Sequence, residues 1–271
     1  VPTPRFSAIM GTMGIVRAMM IGDVMGEPGL KVLEEKLPGL INDNAVDFTV
    51  ANGENAADGF GLTEATLGRI IAAGVDVVTS GNHVWEKREF WQTLDADDRV
   101  LRPANYPGPA AGRGWIRVKK AGADWIVINV QGREFMTAID CPFRCLDDIV
   151  RQAGGAIALV DFHAESSREK EALAYHADGR VSLLAGTHTH VQTADERVLP
   201  EGTAYVTDLG MTGISDSVIG MDAGICLDRA RKQVMYRMEP AKDLGDGKSE
   251  IQGVIAEIDE ESGKAISIRR L

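Results

Sequence analysis

Apolar runs of strand length recur along the chain, and most of them end in a polar turn that carries glycine. Residues 15–21, Ile-Val-Arg-Ala-Met-Met-Ile, are the first such run and stop at Gly22-Asp23. A mostly apolar run this short, closed by glycine, predicts a buried strand. Pro28 suits the first turn of a helix, and Leu30, Leu33 and Leu37 then fall at helical spacing. The same succession repeats. Residues 46–51 run into Asn52-Gly53-Glu54-Asn55, and Leu62, Ala65, Leu67, Ile70 and Ile71 mark the next helix. Residues 75–79 stop at Ser80-Gly81-Asn82-His83, and residues 156–162 run into His163 ahead of a helix from Ser166 that carries Leu173. Residues 181–185 lead to Gly186-Thr187-His188-Thr189-His190, and residues 203–207 lead to a glycine-rich exit at 208–213 that would wall the same cleft. Strands alternating with helices predict a mostly parallel sheet, with a site along the carboxyl ends of its strands.

Elsewhere the pattern differs. Residues 105–109 read as a loop, and 115–119 and 125–130 as neighbouring strands that open a second sheet. Residues 131–144 are polar and irregular, before a helix begun by Leu146, Ile149 and Val150 and ended at Gly154-Gly155. Residues 221–234 fit neither period, and 253–258 with 265–268 predict a terminal hairpin turned at 260–263. Residues 1–14 have no periodicity and read as a disordered extension, leaving 15–271 as a single α/β domain.

The turns share a chemistry. His188 and His190, two apart in an extended segment, project to one side, and two imidazoles aimed together suit a metal ion. Further oxygen and nitrogen donors stand at the corresponding turns: Asp23, Glu54, Asn55, Asn82, His83 and His163. Each alone has an ordinary reading as a cap or a hydrogen-bonded side chain. Four of the five histidines occupy such turns, however, and the donors suffice for two metals; His176, inside a helix, is the ordinary one. Cys141 and Cys145 have no second pair to complete a thiolate site and read as reduced thiols. Gly22, Gly26 and Gly29 do not form G-x-G-x-x-G, which makes a nucleotide-binding oxidoreductase the weakest reading.

The 29 basic residues against 40 acidic ones give a net charge of -11, which argues against a long nucleic acid as partner. A small phosphate ester stays open, because metal charge dominates locally. Three cysteines are too few and too odd in number for a disulfide framework, and no apolar run approaches the roughly 20 residues that span a bilayer. Both point to a cytoplasmic protein with no membrane partner.

Gly22-Asp23, Gly53-Glu54-Asn55, Gly81-Asn82-His83, His163 and Gly186-Thr187-His188-Thr189-His190 occur in an order that resembles the calcineurin-like metallophosphoesterases. The resemblance implies a two-sheet α/β sandwich with a dinuclear metal site at the strand carboxyl ends. Met25 stands where that family's usual G-D-x-H has a metal-binding His, and Glu54 where a bridging Asp is usual. Together with Asn55, residues 53–59 and residues 139–144, these departures resemble the bacterial YmdB-like branch, described as 2',3'-cyclic-nucleotide 2'-phosphodiesterases. By the resemblance, Glu54 bridges two metals. Asp23, Asn55 and His190 complete one, and Asn82, His163 and His188 the other. Iron or manganese fits this mixed donor set, and zinc is compatible with it. His83, left without a metal, is placed to protonate the leaving alkoxide or stabilise phosphorane charge, its ordinary reading being a hydrogen bonder beside the ligands.

The implied reaction opens a 2',3'-cyclic nucleotide to the 3'-nucleotide, or cleaves a similar small phosphodiester, by in-line attack of a metal-bridging hydroxide. A phosphomonoesterase or nucleotidase, and a metal- and nucleotide-binding regulatory protein acting through partners, are the alternatives. A homo-oligomer is left open.

Overall fold

The computed structural model describes residues 14–242 and 248–271, so the expected extension at 1–14 lies, apart from Gly14, outside the described residues. In chain order the elements are β1 (Ile15–Ile21), β2 (Asp23–Val24), α1 (Gly26–Asp43), β3 (Phe48–Asn52), α2 (Glu64–Ala72), β4 (Val77–Thr79) and α3 (Trp91–Ala96). There follow β5 (Trp115–Lys120), β6 (Ala123–Gln131), α4 (Pro142–Ala153), β7 (Ile157–His163), α5 (Ser167–Ala177) and β8 (Leu183–Thr187). The last are β9 (Arg197–Val198), β10 (Ala204–Val206), β11 (Met211–Ile214), α6 (Ala223–Lys232), β12 (Ser249–Ile251), β13 (Gly253–Asp259) and β14 (Ala265–Arg270).

One sheet has the order β14-β13-β1-β3-β4, in which β1, β3 and β4 are parallel and the terminal hairpin adds antiparallel to β1. The second has the order β5-β6-β7-β8-β10-β9, with β6, β7, β8 and β10 parallel. The two pack face to face. On β1, Ala18 and Met20 point into the space between the sheets, while Met19 and Ile21 point outward to the helices. Strands covered on both faces read as continuous apolar runs, which is why periodicity found them. Phe48 of one sheet stacks on Trp125 of the other, their ring centroids 4.8 Å apart. Leu30, Leu33 and Leu37 of α1 and Leu67 and Ile70 of α2 cover the outer face of the first sheet. Leu146 and Ile149 of α4 and Leu173 of α5 cover that of the second. The result is the two-sheet α/β sandwich expected, with helices outside.

Short elements differ from expectation. Met211–Ile214, inside the region read as a glycine-rich exit, pairs in parallel with Asp23–Val24 and antiparallel with β12, forming a third small sheet. Asp23 therefore stands on a two-residue strand rather than in a free loop. Strands of two to four residues are too brief to show a period. Helix α4 begins at Pro142, where an irregular segment is expected, because proline is preset for a first turn. The ambiguous stretch after Met221 is helix α6, capped by Asp222; none of its residues is buried, so it has no apolar face to read. No helix among the described residues is long and apolar enough to cross a membrane.

Candidate metal centre

The carboxyl ends of β3, β4, β7 and β8 meet around one fully buried acid, Asp161, set in the apolar run of β7 that precedes His163. Its Oδ2 accepts from Asn52 Nδ2 at 3.0 Å and Thr79 Oγ1 at 2.5 Å, both on the opposite sheet, and its Oδ1 accepts from Thr187 Oγ1 at 2.6 Å. Burial pushes the Asp161 carboxyl up to about 6, against the pull of His163 and the two threonine hydroxyls. The hub then orients what lies above it. Asn52 Oδ1 accepts the backbone N–H of Glu54 at 3.0 Å, and Thr187 Oγ1 accepts from His163 Nδ1 at 2.9 Å, which leaves His163 Nε2 to face the cleft.

Around His163 Nε2 stand Glu54 Oε1 at 3.1 Å, Asn82 Oδ1 at 3.1 Å and His188 Nδ1 at 3.0 Å. Beside them lies a second group, in which His190 Nε2 is 3.6 Å from Asp23 Oδ1 and 3.1 Å from the Asn55 amide. Glu54 Oε1 touches this group too, 3.5 Å from the Asn55 amide nitrogen. The structure thus brings together Asp23, Glu54, Asn55, Asn82, His163, His188 and His190. His83 joins the rim: its backbone N–H donates to Glu54 Oε2 at 3.1 Å, while its ring meets Glu86 at 3.3 Å and packs in a T-shaped contact with Phe60. His176 lies elsewhere, on Asp147. Met25 is buried against Met211 and Met221.

The H-x-H segment is not extended, as its spacing suggests. Strand β8 ends at Thr187, and His188 and His190 take φ of 95° and 64°, conformations that cost of order 1–3 kcal/mol each for residues with a side chain. The intervening Thr189 is held the other way, its N–H and Oγ1 donating to Asp208 Oδ2 at 3.3 and 2.8 Å. Asp208 in turn pairs with Lys170 Nζ at 2.6 Å, both side chains buried. Lys170 passes so close under Gly186 that an added Cβ there would overlap its methylenes and the Thr207 carbonyl. A Cβ at Gly81 would likewise overlap the His163 ring, so glycine is what lets the Asn82 turn close on His163. Asp161, Lys170 and Asp208 are among the site-supporting residues that sequence reading missed. Asp161 alone left a signal, as an acid within a buried apolar run.

Charge explains why these groups stay together. Burial alone would raise the Asp23 carboxyl, but the charges of His190 and His163 and the His188 N–H hold it at about 2. Against its own burial, His190 is raised to about 9 by Asp23 and by its bond to the Ile219 carbonyl. His163 is raised in the same sense by Glu54, and burial together with the charge of His163 lowers His188 to about 4. Two buried carboxylates here demand positive charge, which is what a bound cation provides.

The donor set fits metal ions on three grounds. Asp23 Oδ1 is buried without a hydrogen-bond partner. Each imidazole turns one nitrogen inward and anchors the other outside: His163 on Thr187, His188 on Glu165 at 3.1 Å, His190 on the Ile219 carbonyl at 2.9 Å. Ligand atoms sharing one ion at about 2.0–2.2 Å lie roughly 3.0–3.6 Å apart, the spacing found around His163 and His190. Glu54, His163 and His188 by themselves form a compact set able to hold an ion.

The chain is similar to several known proteins. A family model described as "YmdB-like protein" matches residues 19–271. A 2',3'-cyclic-nucleotide 2'-phosphodiesterase of Bacillus subtilis (strain 168) is 43% identical over 258 residues, covering 94% of this chain and 96% of that protein. A crystal structure of a hypothetical protein from Thermus thermophilus superposes with a TM-score of 0.87 at 40% identity, covering 94% and 98% of the two chains. A phosphatase structure from Mycoplasma pneumoniae gives 0.88 at 29% identity, covering 96% and 93%.

Breaking the buried pair beneath the histidine turn tests its place in the fold. Lys170→Met leaves Asp208 charged and unpaired, and urea unfolding should register a loss of about 3–5 kcal/mol. Lys170→Met combined with Asp208→Asn should recover much of that loss; a single variant within about 1 kcal/mol of the parent would show that the pair does not brace the turn.

Proposed function

The chain belongs to the YmdB-like family, and from that we propose that it is a metal-dependent phosphodiesterase that opens 2',3'-cyclic nucleotides, or similar small phosphodiesters, to the 3'-phosphate. One observation carries the reading: two fully buried carboxylates, one with an unpartnered oxygen, lie among three imidazoles whose outer nitrogens are all anchored. In this assignment Asp23, Asn55 and His190 hold one ion, Asn82, His163 and His188 hold another, and Glu54, in contact with both groups, is shared. The ions, for which iron or manganese suits the sulfur-free donors best, would supply an activated water and neutralise the phosphoryl oxygens.

Asn55 contributes by turning its amide oxygen toward the ion. A half-turn of the amide suffices, since it exchanges the amide nitrogen and oxygen facing His190 Nε2. His83 is the general acid. Its ring stands at the cleft with Nδ1 on Glu86, so Nε2 is the atom that delivers a proton to the departing 2'-oxygen. The net charge of -11 keeps long polyanions away, three free thiols fit a reducing cytoplasm, and the core shared by the two sheets fits a chain that works as a single domain.

Purified protein loaded with manganese should convert adenosine 2',3'-cyclic phosphate to adenosine 3'-phosphate and go no further, with chelation abolishing turnover. Continued release of inorganic phosphate would instead mark a monoesterase, and no turnover at all would sink the proposal. His83→Ala should keep both metals yet lose roughly 10²–10⁴-fold in rate on this diester. Bis(p-nitrophenyl) phosphate, whose phenolate leaves with little protonation, should lose far less. Equal losses on both substrates, or a metal lost with the side chain, would remove His83 from the general-acid role.

A further inference from the structure

The cleft above the metal centre, about 370 Å³ in volume, has two unlike walls. One carries Glu54, His188 and His190; the other is apolar, made by Phe60, Ile219, Met221 and Met238. The apolar wall is tied to the polar one at both ends. Phe60 ends the same loop that carries Glu54 and Asn55, with its N–H donating to the Ala57 carbonyl at 3.1 Å and the Ala57 N–H donating to the Gly61 carbonyl at 2.9 Å. Asp58, Gly59 and Gly61 in this loop all have positive φ, which folds it tightly enough to set the Phe60 and His83 rings in a T-shaped contact, their centroids 5.1 Å apart. On the far side, the Ile219 carbonyl receives His190 Nδ1. Met221 of the wall belongs with Met25 and Met211 to a buried apolar cluster, against which Phe60 and Met238 pack.

We propose that this wall is a nucleobase platform, on which the base of the substrate lies against Phe60 and the methionines while its cyclic phosphate meets the polar wall. The proposal rests on the phosphodiesterase reading and names what that site selects. A phosphate ester alone needs no apolar surface, whereas a nucleoside has one charged end and one flat face, which is the polarity of this cleft. An aromatic ring offers a stacking face that tolerates any base, and methionine adapts its shape to what it touches. The four side chains contain no hydrogen-bonding group beyond two thioethers, so the platform itself does not read the edges of the base. All four bases are therefore accepted, with purines ahead of pyrimidines through contact area alone.

Kinetics with adenosine 2',3'-cyclic phosphate and with base-free ribose 2',3'-cyclic phosphate separate the platform from the chemistry. The parent protein should favour the nucleotide in kcat/KM by roughly 5- to 150-fold, the range for one stacked base. Phe60→Ala should collapse that preference toward unity through KM of the nucleotide, and any effect on His83 cancels because both substrates share it. Met238→Ala should shift the preference the same way. A parent that treats the two substrates alike, or a variant that slows both by one factor, overturns the platform. Calorimetric binding of adenosine 3'-phosphate against inorganic phosphate gives a reading that needs no turnover. A nucleotide advantage present in the parent and lost in Phe60→Ala supports the platform even where hydrolysis fails, and its absence in the parent overturns it. Failed hydrolysis with that advantage intact counts against the phosphodiesterase reading alone.

Discussion

A buried carboxylate shared by two sheets sets the geometry of everything above it. Asp161 would be costly to bury alone, but it accepts from Asn52 and Thr79 of one sheet and Thr187 of its own. Those partners are the terminal residues of β3, β4 and β8, so satisfying one acid fixes the relative position of three strand ends. The same residues pass the constraint upward. Asn52 aligns the backbone of Glu54, and Thr187 fixes the His163 ring with Nε2 toward the cleft. Donors held on strand ends by packed, hydrogen-bonded neighbours need little reorganisation to receive an ion.

The other half of the centre is held by strain and its restraint. His188 and His190 sit in left-handed backbone that neither residue favours, and Thr189 between them is fastened to Asp208, itself neutralised by Lys170. A buried ion pair is a poor source of stability in itself, since desolvation offsets most of its attraction. Here it has a geometric use: it turns the two imidazoles apart, so that His188 joins His163 and His190 joins Asp23. An extended H-x-H would have aimed both rings at one point. The departure from the local rule thus falls where the proposed centre divides into two groups of donors.

Much of this was legible in the chain. Runs such as residues 15–21 and 156–162 read as strands because both of their faces are buried, and Asp23, Glu54, Asn55, Asn82, His163, His188 and His190 stood out as polar donors at glycine turns. What stayed hidden depends on contacts distant in sequence. A lysine is ordinarily exposed, and nothing around Lys170 announces that it runs beneath Gly186 to Asp208. The pairing of Asp23–Val24 with Met211–Ile214 joins segments far apart in the chain through strands too short to show a pattern. The apolar wall of the cleft was equally obscure, because Phe60 meets Ile219, Met221 and Met238 from a distant part of the chain and none of them lies in a helix or strand.

The central claim is that Glu54 stands between two ions. Anomalous diffraction from crystals grown with manganese, collected with X-rays tuned to the metal's absorption edge, tests it without reference to activity. Two peaks roughly 3.5–4 Å apart, one among Asp23, Asn55 and His190 and the other among Asn82, His163 and His188, with the Glu54 carboxylate between them, are predicted. A single peak, or peaks that leave Glu54 outside their coordination, would contradict the account.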